Sequence, residues 1–369
     1  MYVSLLSLTS FRNYVSLTFE PSDGLNVLVG RNAQGKSGVL EAVYMLATSK
    51  SHRTSRDLDM IRLGDPLSRV VAEVSRTARN DVTVEIDLSR TEKKTVKINT
   101  VKHPKIGDIV GQLNAVIFSD ADIDMVRGEP SRRRRYLNLE ISQVSPQYVY
   151  SLGRYKRVLD QRNNLLKEIK AGQASATGLD VWDNQLSIYG AAVITRRSEF
   201  VGFVSAAAAE IYAGLTDGSE KLNITYKPNA EMTDGEQGTA NALAETLAAR
   251  RELDIARATT TTGPHRDDLG ITINSMTARE YGSQGQQRTA AIALKLAEIQ
   301  LLRDSAGENP VVLLDDIMAE LDESRRHRVL DLTSGCQTLL TTTHLSDVSS
   351  QMLENATVFE VESGKVKRQ

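Results

Sequence analysis

A chain of 369 residues is longer than one ordinary core of about 150 residues, so two globular parts or one domain with a large insertion are expected. Apolar residues make up 40% and charged residues 25%, as in soluble globular proteins, and the net charge of −2 leaves only local patches for binding nucleic acid. The single cysteine, Cys336, excludes a disulfide framework and indicates a reducing compartment. We recognise no signal peptide and no apolar stretch of about 18 residues, and therefore expect a cytoplasmic protein without a membrane partner.

Residues 2–10 and 14–20 alternate apolar and polar side chains and predict two paired strands, and residues 68–76, 81–89 and 94–99 predict an antiparallel meander. Between these two regions lies a P-loop pattern, a glycine and four residues before Gly-Lys-Ser, which comprises Gly30, Arg31, Asn32, Ala33, Gln34, Gly35, Lys36 and Ser37.

The residues around the P-loop supply the context that its chemistry needs. An apolar strand is predicted over residues 25–29 and a helix over residues 39–46. The glycines let backbone N–H groups face phosphate oxygens, and the helix N-terminus adds partial positive charge. In this pattern Lys36 neutralises β- and γ-phosphate charge and Ser37 is a ligand of Mg²⁺. A chance loop is the alternative, but the flanking strand and helix favour nucleotide binding.

Two later segments repeat an apolar spacing of four and three residues, which is typical of helices that pack along a narrow seam. The first comprises Tyr148, Leu152, Tyr155, Leu159, Arg162, Leu166 and Ile169, and the second comprises Trp182, Leu186, Tyr189, Val193, Arg196, Phe200 and Phe203. With a turn at residues 170–177, they predict a helical hairpin with limbs of about 33 Å. A compact bundle is the alternative. We expect a third helix near residues 240–258 and a loop over residues 216–238.

Apolar runs near the C-terminus lack a polar phase and predict a parallel sheet covered on both faces. The run over residues 311–314 ends at Asp315, the Walker B pattern, and this carboxylate can hold the Mg²⁺ that Ser37 also contacts. Asp316 could orient the attacking water, and His344 ends a later strand. The loop at Ser283, Gly285 and Gln286 leads into a helix and is either a second phosphate site or a helix cap.

As a set, these blocks resemble the ATP-binding-cassette (ABC) ATPases, most closely the SMC-type heads and, in finer detail, the RecF family of DNA-repair proteins. The blocks that carry the resemblance are residues 11–14, 30–37, 51–54, 262–268, 282–288, 314–316 and 320–322. The resemblance implies an α/β fold, an ABC-type P-loop ATPase head with a mixed sheet and an antiparallel β lobe, and an inserted α-helical arm. We assign residues 1–125 and 256–369 to the two halves of the head and residues 126–255 to the arm.

The resemblance also implies roles for single residues. Ser283, Gly285 and Gln286 would form the signature loop, which contacts the γ-phosphate held by a second subunit, so that ATP and Mg²⁺ are enclosed in a two-fold homodimer. Asp322 would cross this interface, and His344 would lie near the γ-phosphate. Arg12 and Asn13 match positions near the nucleotide, and Gln112 is a candidate for the glutamine that contacts Mg²⁺.

Two departures from the family pattern concern carboxylates. Asp316 stands where most ABC ATPases have glutamate, which is consistent with slow hydrolysis. Asp120-Ala121-Asp122 stands where related chains often have Pro-Glu-Asp.

The family further implies binding to single-stranded, gapped or junction DNA, the partners RecO and RecR, loading of RecA, and a part in the SOS response. Residues 132–135 and the set Arg250, Arg251 and Arg257 could contact phosphates, but carboxylate-paired clusters are an equal alternative. Two other functions remain open, the ATPase subunit of a transporter and an ATP-binding scaffold without productive hydrolysis.

Overall fold

The computed structural model describes residues 1–369 except the side chains of Ala319, Glu320, Glu323, Ser324 and Gln351, so the side chain of Glu320 in the predicted 320–322 block lies outside the described residues. The chain divides into two compact units. Unit 1 comprises Met1–Asp122 and Ala291–Gln369, and unit 2 comprises Ile123–Ala290.

The first part of unit 1 contains one long helix and eight strands, which are β1 (Tyr2–Phe11), β2 (Tyr14–Phe19), β3 (Leu25–Val29), α1 (Lys36–Thr48), β4 (Leu67–Ser75), β5 (Val82–Ser89), β6 (Thr95–Ile98), β7 (Val101–His103) and β8 (Ala115–Phe118). Unit 2 is mainly helical and contains α2 (Ile123–Arg127), α3 (Pro130–Val144), α4 (Pro146–Lys170), α5 (Leu179–Leu215), β9 (Leu222–Lys227), α6 (Gly235–Ala249), α7 (Arg251–Arg257), β10 (Asp268–Ile273), β11 (Met276–Thr277) and α8 (Ala278–Tyr281). The chain then returns to unit 1 through α9 (Gln284–Ala306), β12 (Val311–Asp315), α10 (Glu323–Leu332), β13 (Thr338–Thr342), α11 (Ser350–Leu353), β14 (Ala356–Glu362) and β15 (Lys365–Arg368).

A six-stranded mixed sheet in unit 1 has the order β15-β14-β3-β13-β12-β8. Its strands are parallel from β14 to β8, and β15 is antiparallel. Strand β13 is buried throughout and β12 is buried up to Asp315, as expected for parallel strands covered on both faces. Because β3, β13 and β12 are parallel neighbours, their carboxyl ends lie side by side at one end of the sheet.

The second sheet of unit 1 has the order β2-β1-β4-β5-β6-β7, and all its neighbouring strands are antiparallel. Buried and more exposed residues alternate along β4 and β5, because one face of an antiparallel sheet packs on the core and the other faces water. The predicted strand pair and meander are therefore confirmed.

Helices α4 and α5 of unit 2 pack against each other as the hairpin predicts, and α6 also packs against α5. Residues of all three helices share one apolar core, which is the arrangement of the compact alternative.

Along α4 the predicted seam residues Tyr148, Tyr155, Arg162 and Leu166 are buried, whereas Leu152, Leu159 and Ile169 are partly exposed. Ser151 and Val158, which were not predicted, are also buried. Along α5 the prediction of Arg196 in the seam is wrong, because Arg197 is buried and Arg196 forms a half-exposed pair with Glu199. The spacing of apolar residues in the sequence does not show which of the two adjacent arginines, Arg196 or Arg197, is buried.

The loop predicted over residues 216–238 contains strand β9 and the start of α6. Strand β9 pairs with β10 along its whole length, and this pairing holds the residues after 255 in unit 2. The observed boundaries, after Asp122 and after Ala290, thus differ from those expected at 125 and 255. The predicted third helix is divided at Arg250 into α6 and α7.

Charged side chains form a buried network inside unit 2. Arg162 donates to Asp183 (2.6 Å), Asp254 (2.8 Å) and the Thr260 hydroxyl (2.8 Å), and thereby joins α4, α5 and α7. His265 is part of the same region, where burial lowers the pKa of its imidazole to about 4 and keeps the ring neutral. Within the described part of the chain, none of the helices combines the length and the apolar character needed to cross a bilayer.

We expect Arg162→Ala to lower the free energy of unfolding of unit 2 by about 3–5 kcal/mol, because it leaves buried carboxylates without their cation. The matched control is Arg196→Ala, which removes an exposed pair and should cost about 1 kcal/mol or less. Urea unfolding followed by circular dichroism measures both values. Equal unfolding midpoints for the two variants would contradict the assignment of Arg162 as the central ion of this unit.

Candidate functional site

The P-loop connects the end of β3 to the start of α1. The loop turns through two residues with positive φ, Ala33 (64°) and Gly35 (121°). Lys36 is 4% exposed, and its ammonium donates to the carbonyl oxygens of Gly30 (2.7 Å) and Arg31 (3.2 Å). These bonds fold the loop around the lysine side chain and place its positive charge at the start of α1.

Two neighbouring turns hold the P-loop through Gln34 and Gly35. Asn13 donates to the Gln34 carbonyl (2.9 Å) and the Tyr14 hydroxyl donates to the Gly35 carbonyl (3.1 Å). The turn between β14 and β15 donates through the Gly364 amide to the same Gln34 carbonyl (3.1 Å). The loop conformation is therefore set by residues from both ends of the chain.

A cavity of about 650 Å³ lies over this loop, within unit 1. Its lining includes the predicted residues of the P-loop and its surroundings, together with the charged residues Arg53, Asp59 and Arg90. The predicted residues in the lining are Arg12, Asn13, Asn32, Ala33, Gly35, Lys36, Ser37 and Asp316. The other three P-loop residues, Gly30, Arg31 and Gln34, shape the loop through their backbone atoms. A volume in this range is typical of pockets that bind small molecules.

Asp315 ends β12, and its carboxylate accepts hydrogen bonds from the hydroxyls of Ser37 and Thr341, the latter at 2.9 Å. Burial raises the pKa of the Asp315 carboxyl, and these two hydrogen bonds only partly offset that effect. The Walker B carboxylate and the P-loop serine are thus in direct contact. Two such oxygens form the kind of donor set that Mg²⁺ prefers.

Asp316 adopts a left-handed conformation with φ of 53°, which is uncommon for a residue with a side chain. Its amide donates to the Thr341 hydroxyl (2.9 Å), the same group that donates to Asp315. Thr341 therefore positions the Asp315 carboxylate and the Asp316 backbone, and Asp316 lines the cavity. Such strained residues are concentrated at functional sites.

Arg12 lies beside the P-loop but is engaged by a buried carboxylate. Its guanidinium donates to both Glu41 oxygens (2.7 and 2.5 Å) and to the Asp59 carbonyl (2.7 Å). Glu41 is fully buried on α1 and also accepts a short hydrogen bond from the Ser51 hydroxyl. Burial acts to raise the pKa of Glu41, but the bonds from Arg12 and Ser51 outweigh it, and the pKa is lowered.

The predicted 51–54 block lies beside the same carboxylate, because Ser51 donates to Glu41. Arg53 lines the cavity and lies 3.9 Å from Glu41, and His52 lies 4.0 Å from Asp315. Glu41 therefore ties Arg12 and the 51–54 loop to the helix that begins at Lys36. Glu41 was not among the predicted site residues, although a lone carboxylate within the apolar run Val39-Leu40-Glu41-Ala42-Val43 is a recognisable signal.

The remaining predicted residues lie outside the cavity that the described residues form. His344 is exposed just beyond β13, between the ends of β3 and β12 in the sheet order. Ser283 and Gln286 form a reciprocal cap at the start of α9, in which the Gln286 amide donates to the Ser283 hydroxyl (3.2 Å) and the Ser283 amide donates to the Gln286 side chain (2.8 Å). Asp322 caps α10, and Gln112 contributes its carbonyl to a bond from Arg76.

The proposed basic patches contain several paired arginines. Arg133 is buried and donates to both carboxylate oxygens of Asp268 (2.6 and 3.0 Å). Arg251 bridges Asp180 and Asp183 at 2.7 Å each. For these two residues the carboxylate-paired alternative is correct. The exposed members of the patches are Arg132, Arg250 and Arg257.

We expect Glu41→Gln to lower the free energy of unfolding of unit 1 by about 2–3 kcal/mol at pH 7, because a neutral amide cannot balance the Arg12 charge. Since the pKa of Glu41 is lowered by folding, its contribution is present above an ordinary glutamate pKa and is lost as the pH falls below about 4.5. Glu73→Gln on the exposed face of β4 is the control. Urea unfolding at pH 7 and pH 4 measures the difference, and an equal penalty for both variants at pH 7 would contradict this role.

Comparison with known proteins places the chain in a family. The chain matches the RecF/RecN/SMC N terminal domain family over residues 2–367. The DNA replication and repair protein RecF of Halalkalibacterium halodurans is 39% identical over 375 residues, which cover 100% of both chains. The protein of the same name from Geobacillus thermodenitrificans is 37% identical over 370 residues, which cover 99% of both.

Solved structures agree. The recombination mediator protein RecF-ATP of the RecFOR pathway superposes with a TM-score of 0.93 at 34% identity and covers 100% of this chain and 97% of that one. An SMC head bound to the C-winged helix domain of ScpA, at 17% identity and a TM-score of 0.54, shares the fold over 100% of this chain and 98% of that one. The predicted ABC-type head with a mixed sheet and an inserted helical region is confirmed. The chain belongs to the RecF family of DNA replication and repair proteins.

Proposed function

We propose that the protein binds ATP with Mg²⁺ in the unit 1 cavity, that bound ATP joins two copies of the chain, and that the dimer holds DNA during repair. The observation that carries this proposal is the contact between Ser37 and Asp315, because it brings a P-loop and a Walker B strand to one point. The relatives named for DNA replication and repair, and a neighbouring structure named RecF-ATP, support it.

The residues present fit ATP and its metal ion. Lys36, Ser37 and Gly38 at the start of α1 line the cavity, where the lysine charge and the helix N-terminus would supply the positive potential that a triphosphate requires. Ser37 and Asp315 would hold Mg²⁺, which neutralises phosphate charge when bound.

Hydrolysis would be slow and DNA-stimulated. Asp316 would orient the attacking water from its strained position, and its side chain is one methylene shorter than the glutamate usual in ABC ATPases. His344 would approach the γ-phosphate from the strand between β3 and β12. Slow hydrolysis suits a switch, since the ATP-bound dimer must persist long enough to act.

The second subunit would complete the site. Ser283, Gly285 and Gln286 lie at the start of α9, where backbone N–H groups and the helix dipole favour an anion. Ser283 and Gly285 are exposed and therefore accessible to a phosphate held by another copy. Asp322, exposed at the start of α10, would cross the interface.

DNA would bind mainly through phosphates, with single-stranded, gapped and junction DNA as the substrates. Arg132, Arg250 and Arg257 are the exposed candidates for these contacts. RecO and RecR are the proposed protein partners, because the neighbouring structures belong to the RecFOR pathway. Loading of RecA and a role in the SOS response would follow from that pathway.

We expect ATP to convert the protein from monomer to dimer. Lys36→Met should lose both ATP binding and dimerisation, whereas Ser283→Arg should keep ATP binding and lose the dimer, because it blocks only the surface offered to the partner. Light scattering coupled to size exclusion, with and without ATP, measures the mass, and calorimetry measures ATP binding. Gln173→Arg, at the exposed hairpin turn, is the matched control for the added charge.

The same variants test the DNA step. Affinity for gapped DNA should rise with ATP in the wild type and in Gln173→Arg, and should not respond to ATP in Ser283→Arg. A Ser283→Arg protein that dimerises as the wild type does would refute the composite site. ATP-independent binding of equal strength in all the variants would refute the coupling of ATP to DNA.

A further inference from the structure

The signature loop of unit 2 is bonded to a carboxylate that lies outside the loop. The Gln286 side chain donates to one oxygen of Glu220 (2.6 Å), and the Tyr212 hydroxyl donates to the other (2.5 Å). Glu220 lies in the turn between α5 and β9, whereas Gln286 lies in the first turn of α9. The carboxylate therefore joins the end of the long helix α5 to the loop that contains Ser283.

Glu220 is itself held in place by its surroundings. The Tyr212 ring that supports it is fully buried. The amide of the next residue, Lys221, donates to the Asn274 side chain (2.8 Å), and the Asn274 amide donates back to the Lys221 carbonyl (2.9 Å). Asn274 lies in the turn that connects β10 to β11. Glu220 is thus an acceptor whose position is set by the fold.

This acceptor determines which end of the Gln286 side-chain amide faces Ser283. A carboxylate only accepts hydrogen bonds, so the nitrogen of the Gln286 side chain faces Glu220. The oxygen of the same side chain then faces the Ser283 amide, which donates to it at 2.8 Å. Without Glu220 either end of the Gln286 amide can turn towards Ser283, and only the oxygen end accepts its proton.

The same cap orients the Ser283 hydroxyl. Its oxygen accepts from the Gln286 backbone amide at 3.2 Å, and a hydroxyl that accepts one bond still has its own hydrogen to donate. Ser283 is exposed, so this hydrogen can reach an anion outside the chain. A serine whose amide and hydroxyl both bond to Gln286 loses little further freedom when it binds a phosphate.

The neighbouring glutamine has a different partner. Gln287 is buried, and its side chain donates to the Ala278 carbonyl of α8 (2.9 Å). This bond attaches the start of α9 to the preceding helix without Glu220. Loss of the Glu220 carboxylate should therefore leave α9 in place and affect the side chain of Gln286.

We propose that Glu220 is a positioning residue for the signature loop, which it holds through Gln286 so that Ser283 can bind the nucleotide of a second copy of the chain. This inference rests on the proposed function, because positioning matters only if the composite site exists. Glu220 acts through Gln286 and does not touch ATP. Its loss should therefore weaken ATP-dependent dimerisation and leave the ATP affinity of a single copy unchanged.

Dimerisation with ATP and Mg²⁺, followed by light scattering over a range of protein concentrations, tests the proposal. Glu220→Ala should weaken each composite site roughly tenfold, the scale of one hydrogen bond to a charged group, and the dimer with its two sites roughly a hundredfold. Glu220→Gln should stay close to the wild type. Its amide oxygen still accepts from Gln286, and its nitrogen can donate to the Tyr212 oxygen.

A double-mutant cycle with Gln286→Ala separates positioning from a general loss of stability. If Glu220 acts through Gln286, Glu220→Ala should cause no further loss of dimerisation once Gln286→Ala is present. The ATP affinity of the monomer is measured by calorimetry in the Ser283→Arg background, where Glu220→Ala should not change it.

Two further variants complete the design. Glu210→Ala is the matched control, because it removes an exposed carboxylate from the same end of α5 and should leave the dimer unchanged. Tyr212→Phe keeps the buried ring and removes the hydroxyl that donates to Glu220, so it should weaken the dimer in the same direction as Glu220→Ala. It keeps the test decisive if Glu220→Ala does not fold.

The outcomes separate this inference from the function on which it rests. If Ser283→Arg loses the dimer while Glu220→Ala and Tyr212→Phe keep it, the composite site stands and Glu220 is not its positioning residue. Additive losses in the double-mutant cycle would also overturn the inference, because Glu220 would then act by a route other than Gln286. Dimerisation of Ser283→Arg as in the wild type would overturn the proposed function itself.

Discussion

The contact between the Ser37 hydroxyl and the Asp315 carboxylate is the constraint on which the rest of unit 1 depends. These residues are far apart in sequence, and only the sheet order β3-β13-β12 brings them together. Thr341 lies on the intervening strand β13, and its hydroxyl donates a hydrogen bond that positions the Asp315 carboxylate. Unit 2 is inserted in the sequence between β8 and β12, which are neighbouring strands of this sheet.

Two buried carboxylates near the P-loop have opposite pKa shifts, and the difference indicates different roles. Glu41 has a lowered pKa, because Arg12 and Ser51 overcome the cost of its burial. Asp315 has a raised pKa, because its hydroxyl partners do not overcome that cost. Glu41 is thus an anion at neutral pH that organises Arg12 and the 51–54 loop. Asp315 accepts from the hydroxyls of Ser37 and Thr341, and His52 lies 4.0 Å from it, so no arginine bonds it as Arg12 bonds Glu41 in the contacts described above.

Much of this arrangement could be predicted from local patterns. The P-loop, the buried strand that ends at Asp315 and the helices α4 and α5 are each marked by a motif or an apolar period within one continuous stretch of sequence. Strand β9 was predicted as part of a loop, because it is short and the residues around it are rich in glycine and acidic side chains. Its pairing with β10 is a long-range contact, and no local pattern reports it. The same limit explains the predicted boundary at residue 255.

Side-chain partners were the least predictable part of the site. Arg12 was expected near the nucleotide, and the structure adds that Glu41 engages two of its nitrogens, which depends on how β1 meets α1. Arg133 and Arg251 were ambiguous between DNA contacts and ion pairs, because their partners Asp268 and Asp183 come from distant segments. Glu220 lies in the segment that was predicted as a loop, and only the folded chain shows that it accepts a hydrogen bond from Gln286.

A double-mutant cycle on the Mg²⁺ dependence of ATP binding tests the central claim most directly. Ser37→Ala and Asp315→Asn are compared singly and together, by titrating Mg²⁺ at fixed ATP. If both side chains hold one ion, each single variant should weaken the Mg²⁺ dependence and the double variant should be little worse than the more severe single one. Fully additive losses, or a Mg²⁺ dependence that Asp315→Asn leaves intact, would contradict the account.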